Sequence, residues 1–393
     1  MTRPNALGSP STQAGPLPRR GLVLYWPGVG GYAHSHERAT HLEIARRLAA
    51  LKGFDAAGEF DPHRRYADPI YVLPAFTLVG TDAASALGIR SEHDLFGGVV
   101  PHPFAATKAI THPLVRCDAR APAGWSAEMG QRVRRVVLPG FTAFSHGDAL
   151  IAGRHLLDGG SVRVKPVQET GGRGQAVVGN DVELTAALAA IDPADLSRHG
   201  IVLEEHLGNA TTLSVGQVRV SDLVATYYGV QRLTMDNNGA VVYGGSDLTV
   251  WRGGFDTLLG LALPQPVRLA VQQACVYDAA ATACFPTFFA SRRNYDVVQG
   301  VDVRGRRRSG VLEQSWRVGG ASGAEIAALE AFRADPDLKA VRVASVEAYG
   351  ADAAPPPDAT VHFHGWDERV GYISKYVLAE RLGVGDAHGD EGG

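Results

Sequence analysis

Three hundred and ninety-three residues exceed one ordinary hydrophobic core and predict two to three domains or lobes. A hydrophobic share of 45% with 20% charged residues describes a soluble globular chain and excludes wholesale disorder. The formal net charge of -3 gives no pull toward nucleic acid or an anionic membrane, and no apolar run approaches the roughly 20 residues of a membrane helix.

Residues 1–20 and 385–393 read as flexible tails rich in Gly, Pro, Ser or Asp. The first lacks the apolar stretch of a secretory signal. The cysteines Cys117, Cys275 and Cys284 are odd in number and have no metal-like spacing, so they read as reduced thiols of a cytoplasmic protein. A strand is predicted over 22–26, then a Gly-rich turn from Pro27 to Gly31, a helix over about 36–51 and a strand over 71–76. Residues 21–104 thus form a small α/β domain. Beyond it the spacing predicts a short strand over 134–138. A helix follows, N-capped by Ser145 with Asp148 three residues on, and ends near 158–160. Strand 161–165, a helix capped by Asn180 with Glu183 and running to about 191, and strand 201–205 come next. Residues 215–220 and 223–234 read as antiparallel strands. The turn Asp236-Asn237-Asn238-Gly239 leads into 241–243. Residues 264–283 are helical, 297–303 and 309–314 are strands joined by the basic turn 304–308, and 351–358, with three consecutive prolines, is a loop.

Three segments carry chemistry. In Val162-Arg163-Val164-Lys165-Pro166 a Lys ends a strand just before Gly171, Gly172 and Gly174. Glycines let backbone N–H groups approach a phosphate, and the Lys adds a compact charge. An ordinary hairpin turn with a solvated Lys reads the same residues equally well. The chain has five Lys against thirty-three Arg, which favours a specific use for each Lys. Next, Asp302 and Glu313 lie on two strands joined by the Arg-rich turn, so their carboxylates could converge on Mg²⁺. Ser315 and Arg317 share the face of Glu313 by alternation. Solvated acids paired with Arg304 to Arg308 are the competing reading. Finally, the apolar strand Val202-Leu203 ends in Glu204-Glu205-His206-Leu207, a polar rim at a strand exit.

In this order, over about 105–325, the segments resemble the ATP-grasp superfamily, and the chain is similar to a bacterial group within it that has no assigned substrate. The resemblance implies an α/β (α+β) fold: a pre-ATP-grasp domain over 21–104, then a two-lobed ATP-grasp domain over 105–384, with a small lobe to about 205 and a large lobe from about 206. It implies that Lys165, Gly171, Gly172 and Gly174 cover the ATP phosphates, that Lys108 is an earlier nucleotide contact, and that Glu204, Glu205, His206 and Leu207 form the adenine hinge. Asp302 and Glu313 would hold Mg²⁺, with Ser315 where the family has Asn, so that one or two ions remain open. Arg317 would stand on the phosphate side and Arg252 would face the transferred phosphate, although a surface Arg is the competing reading there. The implied activity is that of an Mg²⁺-ATP-dependent ligase. It would activate a small-molecule carboxylate as an acyl-phosphate for attack by an amine, thiol or other nucleophile. Nucleic acid and membrane are not expected partners, and a homodimer is left open.

Two rivals stand beside this reading. Ser315 motivates a degenerate fold that binds nucleotide without turnover. The run Gly28-Val29-Gly30-Gly31-Tyr32-Ala33 satisfies a dinucleotide fingerprint for a nicotinamide oxidoreductase, but no acid ends a second strand about 20 residues on. An anionic acceptor carboxylate at that helix N-terminus is the preferred use of the loop. His34, His36, Glu37 and His41 miss zinc spacing by one residue. His362 and His364 read as paired surface histidines. Asn294-Tyr295-Asp296 is a candidate lining of the acceptor pocket, with Tyr295 as packing.

Overall fold

Among the described residues, alternation with period two and capped helices of period 3.6 give four sheets and the helices that cover them. The computed structural model describes residues 21–28, 35–66, 69–168 and 174–382. The tails, Gly30, Gly31, Ala33 and His34, and Gly171 and Gly172 of the second Gly-rich loop lie outside them.

The leading unit holds β1 (Leu22–Trp26), α1 (His36–Lys52), β2 (Asp55–Glu59) and β3 (Ile70–Pro74), with the three strands parallel in the order β2-β1-β3. Ser35 caps α1 by accepting from the Arg38 N–H. Gly53 ends it at φ 66°, a left-handed conformation that glycine adopts without strain. Short β4 (Leu78–Val79), α2 (Thr81–Ala86) and β5 (Gly98–Val100) follow, and then two single 3₁₀ turns, Pro103–Ala106 and Lys108–Thr111.

A small antiparallel sheet comes next. Its elements are α3 (Ala127–Val133), β6 (Gly140–Ala143), α4 (His146–Leu157), β7 (Val162–Pro166), β8 (Ala176–Val178), α5 (Asp181–Ala189), α6 (Pro193–His199) and β9 (Ile201–Glu205), with strand order β6-β9-β7-β8. Ser145 and Asn180 cap α4 and α5 as their sequences require. The strand expected over 134–138 is absent. That segment continues the end of α3 as a turn, with the Val136 N–H on the Val133 carbonyl, and the strand begins at Gly140. Val137 reaches the core from the turn, so burial overrides β propensity.

The largest sheet is built from β10 (Gly208–Val220), β11 (Leu223–Met235), β12 (Val241–Arg252), β14 (Arg292–Val301), β15 (Arg307–Ser315), β16 (Ala340–Tyr349), β17 (Thr360–Asp367) and β18 (Gly371–Arg381). Between them lie α7 (Phe255–Gly260), α8 (Gln265–Cys284), the short β13 (Phe289–Ala290) and α9 (Ser322–Ala334). The strand order is β15-β14-β10-β11-β12-β16-β18-β17, with antiparallel neighbours throughout. Both faces are buried. Leu213, Val215, Tyr295 and Val297 pack with Ala270, Val271 and Tyr277 of α8, whereas Val218, Val220, Tyr227 and Val250 pack with α9 and α1. The functional side chains belong to this second face, where α9 stops short and a cleft opens.

No helix among the described residues is long and apolar enough to cross a membrane.

Candidate functional site

A cleft of about 1330 Å³ lies between the small sheet, the large sheet and the start of α1. Lys165 and Glu204 enter it from β7 and β9. Ser214, Asn294, Asp296, Glu313 and Ser315 enter from β10, β14 and β15, and His36, Glu37 and His41 from α1.

On the small sheet Lys165 is 3% exposed and its Nζ lies 3.0 Å from Glu204 Oε1. Glu204 is completed by His112 Nε2 at 3.1 Å. Burial pushes Glu204 up, but Lys165 and His112 outweigh it and bring its carboxyl down to about 2. The residues expected to form a hinge divide. Glu205 pairs with Arg308 at 3.1 Å and lines the cleft, as does Leu207, whereas His206 turns aside to meet Arg163 at 3.1 Å. Gly174 sits at φ 66° in the turn before β8.

On the large sheet the register pairs Asp296 with Glu313 and Asn294 with Ser315 across β14 and β15. Glu313 Oε2 is 2.8 Å from the Nζ of buried Lys108. Burial raises Glu313, but Lys108, Lys165 and Arg317 hold it below its ordinary value. Asp296 is shifted the other way, raised by burial and by Glu313 opposite. Its Oδ1 accepts from Asn294 Nδ2 at 2.9 Å and Ser214 Oγ at 3.3 Å. Two facing carboxylates that raise one another's cost are a donor set that a divalent cation relieves. Mg²⁺ needs only one or two such groups when phosphate and water supply the rest. Among the described residues no group of three or more His, Cys, Asp or Glu is placed to hold a metal.

Asp302 is not part of this pair. It closes the hairpin turn, accepting from the N–H groups of Arg304 and Arg306, both at 2.9 Å, and from Arg306 Nε at 2.7 Å. The five residues 297–301 of β14 lie between it and Asp296, six strand steps or about 20 Å. The acid that faces Glu313 is therefore Asp296, across a register shift between Asp296 and Val297; pairing continued symmetrically about the turn at Arg304 would set Glu313 against Tyr295.

Arg252 does not line the cleft. It donates to the carbonyls of Phe332, Asp335 and Leu338 at 2.7, 2.9 and 3.1 Å and so caps the end of α9. Arg317 does line it and donates to the Val318 carbonyl at 2.9 Å. Burial and the neighbouring Arg292 push its guanidinium below its ordinary value. The first turn of α9 borders the same space through Gly323, as do Gly319 and Gly320 just before the helix, and its N-cap, Ala321, carries no side-chain acceptor.

Several participants were not singled out by their sequence: Arg292, Glu325, Asn294 as a partner of Asp296, and His112. Arg292 is 2% exposed, pairs with fully buried Glu325 at 2.9 Å, and donates to Ser315 Oγ at 3.0 Å and the Arg317 carbonyl at 2.6 Å. His362 and His364 do not pair. Buried His362 meets Arg47 at 2.9 Å, and His364 meets Ser374 at 2.7 Å. His41 lies 3.3 Å from the Tyr25 hydroxyl.

The profile of the family described as "Protein of unknown function (DUF3182)" matches residues 28–377. No curated protein matches the chain. Among solved structures, N5-carboxyaminoimidazole synthetase from Staphylococcus aureus, complexed with ADP, is similar with a TM-score of 0.52 and 10% identity over 93% of this chain and 94% of that one. Biotin carboxylase from Campylobacter jejuni is similar with a TM-score of 0.48 and 12% identity over 92% and 87%. These neighbours are ATP-grasp enzymes, and at such identity the likeness is one of fold. The chain belongs to the family described as protein of unknown function DUF3182 and carries the ATP-grasp fold.

Proposed function

We propose that the protein is an ATP-dependent ligase that activates a small-molecule carboxylate for attack by an amine or another nucleophile. The observation that carries this is the cross-strand pair Asp296 and Glu313, set on the large sheet beside Lys108 and Lys165 in a cleft closed by the small sheet. The division into a leading unit over 21–104, a small lobe over about 105–205 and a large lobe over about 206–384 is part of the same reading.

ATP lies with its adenine at Glu204 to Leu207, its phosphates between Lys165 and Lys108, and the loop around Gly174 over it. Mg²⁺, held by Asp296 and Glu313, supplies charge neutralisation on those phosphates when bound. Arg317 and the uncapped first turn of α9 orient the acceptor carboxylate, because both present positive potential to the same part of the cleft. Catalysis by such a constellation is positioning plus electrostatic stabilisation, with no covalent role for the protein.

Thermal unfolding with ATP–Mg²⁺, ATP–EDTA and NADPH tests this on wild type, Asp296→Asn, Glu313→Gln and Asp302→Asn. A ligand at 100 times its dissociation constant adds about 2.7 kcal/mol, or a few degrees for a chain of this size. The expected result is a metal-dependent shift with ATP in wild type and Asp302→Asn that is lost in Asp296→Asn and Glu313→Gln. No shift with ATP would overturn the reading, and a shift with NADPH alone would move the cofactor to the Gly28 loop. Release of ADP with a panel of carboxylates and nucleophiles then separates a ligase from a binding protein without turnover.

A further inference from the structure

We propose that this site holds a single divalent cation beside the nucleotide, and that the Arg292 guanidinium is a resident cation in the place of a second. The proposal rests on the nucleotide-site reading above. It starts from three oxygens beyond Asp296 and Glu313 that could complete a second ion's ligands: the Ser315 hydroxyl, the Ser315 carbonyl and the Asn294 carboxamide.

Each is already committed. Arg292 donates one guanidinium nitrogen to Ser315 Oγ at 3.0 Å, to the Ser315 carbonyl at 3.2 Å and to the Arg317 carbonyl at 2.6 Å. Asn294, the cross-strand partner of Ser315, turns its amide nitrogen to Asp296 at 2.9 Å, so the carboxylate is met by a donor and not by a lone pair. The Asn294 carbonyl oxygen lies 2.9 Å from the Tyr227 hydroxyl, whose one proton is shared with Glu325 Oε1 at 2.5 Å.

Arg292 cannot withdraw to make room. Its Nε reaches both Glu325 oxygens at 3.1 and 3.0 Å, its other terminal nitrogen reaches Glu325 Oε1 at 2.9 Å, and both side chains are buried, at 2% and 0% exposure. Removing the buried guanidinium from Glu325 would leave an uncompensated charge on each side. A divalent ion at ordinary Mg²⁺ distance from Ser315 Oγ would sit within about 5 Å of this fixed charge. The guanidinium is always protonated, so the repulsion persists at every working pH. Burial pushes the Arg292 pKa down from its ordinary value, yet Glu325 outweighs it and the net direction is up. The first ion is not excluded in the same way, because Asp296 and Glu313 bring two carboxylates to it.

The test counts metal per nucleotide by equilibrium dialysis of Mn²⁺ with AMP-PNP, with electron paramagnetic resonance as a second readout for paired ions. Wild type is expected to bind one Mn²⁺ for each AMP-PNP bound, with an unbroadened spectrum. Ser315→Asn is expected to stay at one, because Arg292 remains in place. Two Mn²⁺ in wild type would overturn the proposal. Two in Ser315→Asn alone would overturn the assignment to Arg292 and place the exclusion in the missing carboxamide. Absence of AMP-PNP binding would instead overturn the nucleotide-site reading, and this proposal with it.

Discussion

Glu204 is the most strongly perturbed acid of the small sheet, and its environment makes a pH-dependent statement. Its carboxyl is brought from an ordinary 4.5 to about 2 in the folded protein, because Lys165 and His112 outweigh the burial that pushes it up. A depressed acid contributes stability that is present above its unfolded value and lost as pH falls through the folded one. Wild type is therefore expected to lose stability between pH about 4.5 and about 2, and Glu204→Gln to show a flatter profile there, read from thermal midpoints across that range. Equal slopes in the two proteins would refute the pairing. The same scale shows where sequence reasoning fell short on the site. Lys165, Lys108, Glu204 and Glu313 converge in the structure, and their residue types and order point to that convergence. Asp302 does not join them because it closes the hairpin turn, and it is a bulge that sets Asp296 against Glu313 instead. Val297 pairs with Val311 while Asp296 pairs with Glu313, which leaves Leu312 extra on β15. Were the outer register continued, Glu313 would oppose Tyr295, on the face covered by α8, where Tyr295 bonds to Asp278. One inserted residue turns Glu313 toward the cleft, and nothing in the local alternation announces it.

Elements were legible where their ends carry chemistry. Ser145 and Asn180 mark the starts of α4 and α5 because their side chains satisfy backbone N–H groups that the helix cannot. The turn at Asp236 is written in its own residues, since the Asp236 side chain accepts from the Asn238 and Ala240 N–H groups. Periodicity leaves α9 and β16 to β18 unassigned. The helix is rich in Ala and buried on most of its surface, so no single apolar stripe stands out. The strands place His362, Ser374 and Lys375 among apolar neighbours, which breaks the alternation. Arg252 illustrates how an element's end recruits a distant side chain. It satisfies three carbonyls at the close of α9 and stacks 4.8 Å from the Phe332 ring. Arg252→Ala is expected to cost about 1–2 kcal/mol by chemical denaturation and to leave any ATP-induced shift unchanged. Loss of that shift would return Arg252 to the site.

Across the whole molecule the first helix is held by the last strands. Arg47 of α1 pairs with Glu330 of α9 and with His362 of β17, and the N–H of His36 donates to Asp367 Oδ2 at 2.7 Å. Asp367 is 3% exposed and also accepts from the Arg369 and Val370 N–H groups at 2.9 and 3.1 Å. Its carboxyl is pushed up by burial and brought down more strongly by these three donors. Asp367→Ala strands three N–H groups and is expected to cost about 2–4 kcal/mol in chemical denaturation. A change within about 0.5 kcal/mol would mean that water replaces the carboxylate freely. The cleft depends on this closure, because His36, Glu37 and His41 reach it from the helix so anchored.

The bond from His36 to Asp367 spans 331 positions of chain. At ribosomal rates of about 5–20 residues per second, α1 is made roughly 15–65 s before the carboxylate that completes its first turn. During that interval the nascent helix presents an open end to whatever binds unfinished chains. A premature stop anywhere upstream of β17 would leave that end open for good, so a lesion written in the last strands would be felt first at the oldest part of the molecule.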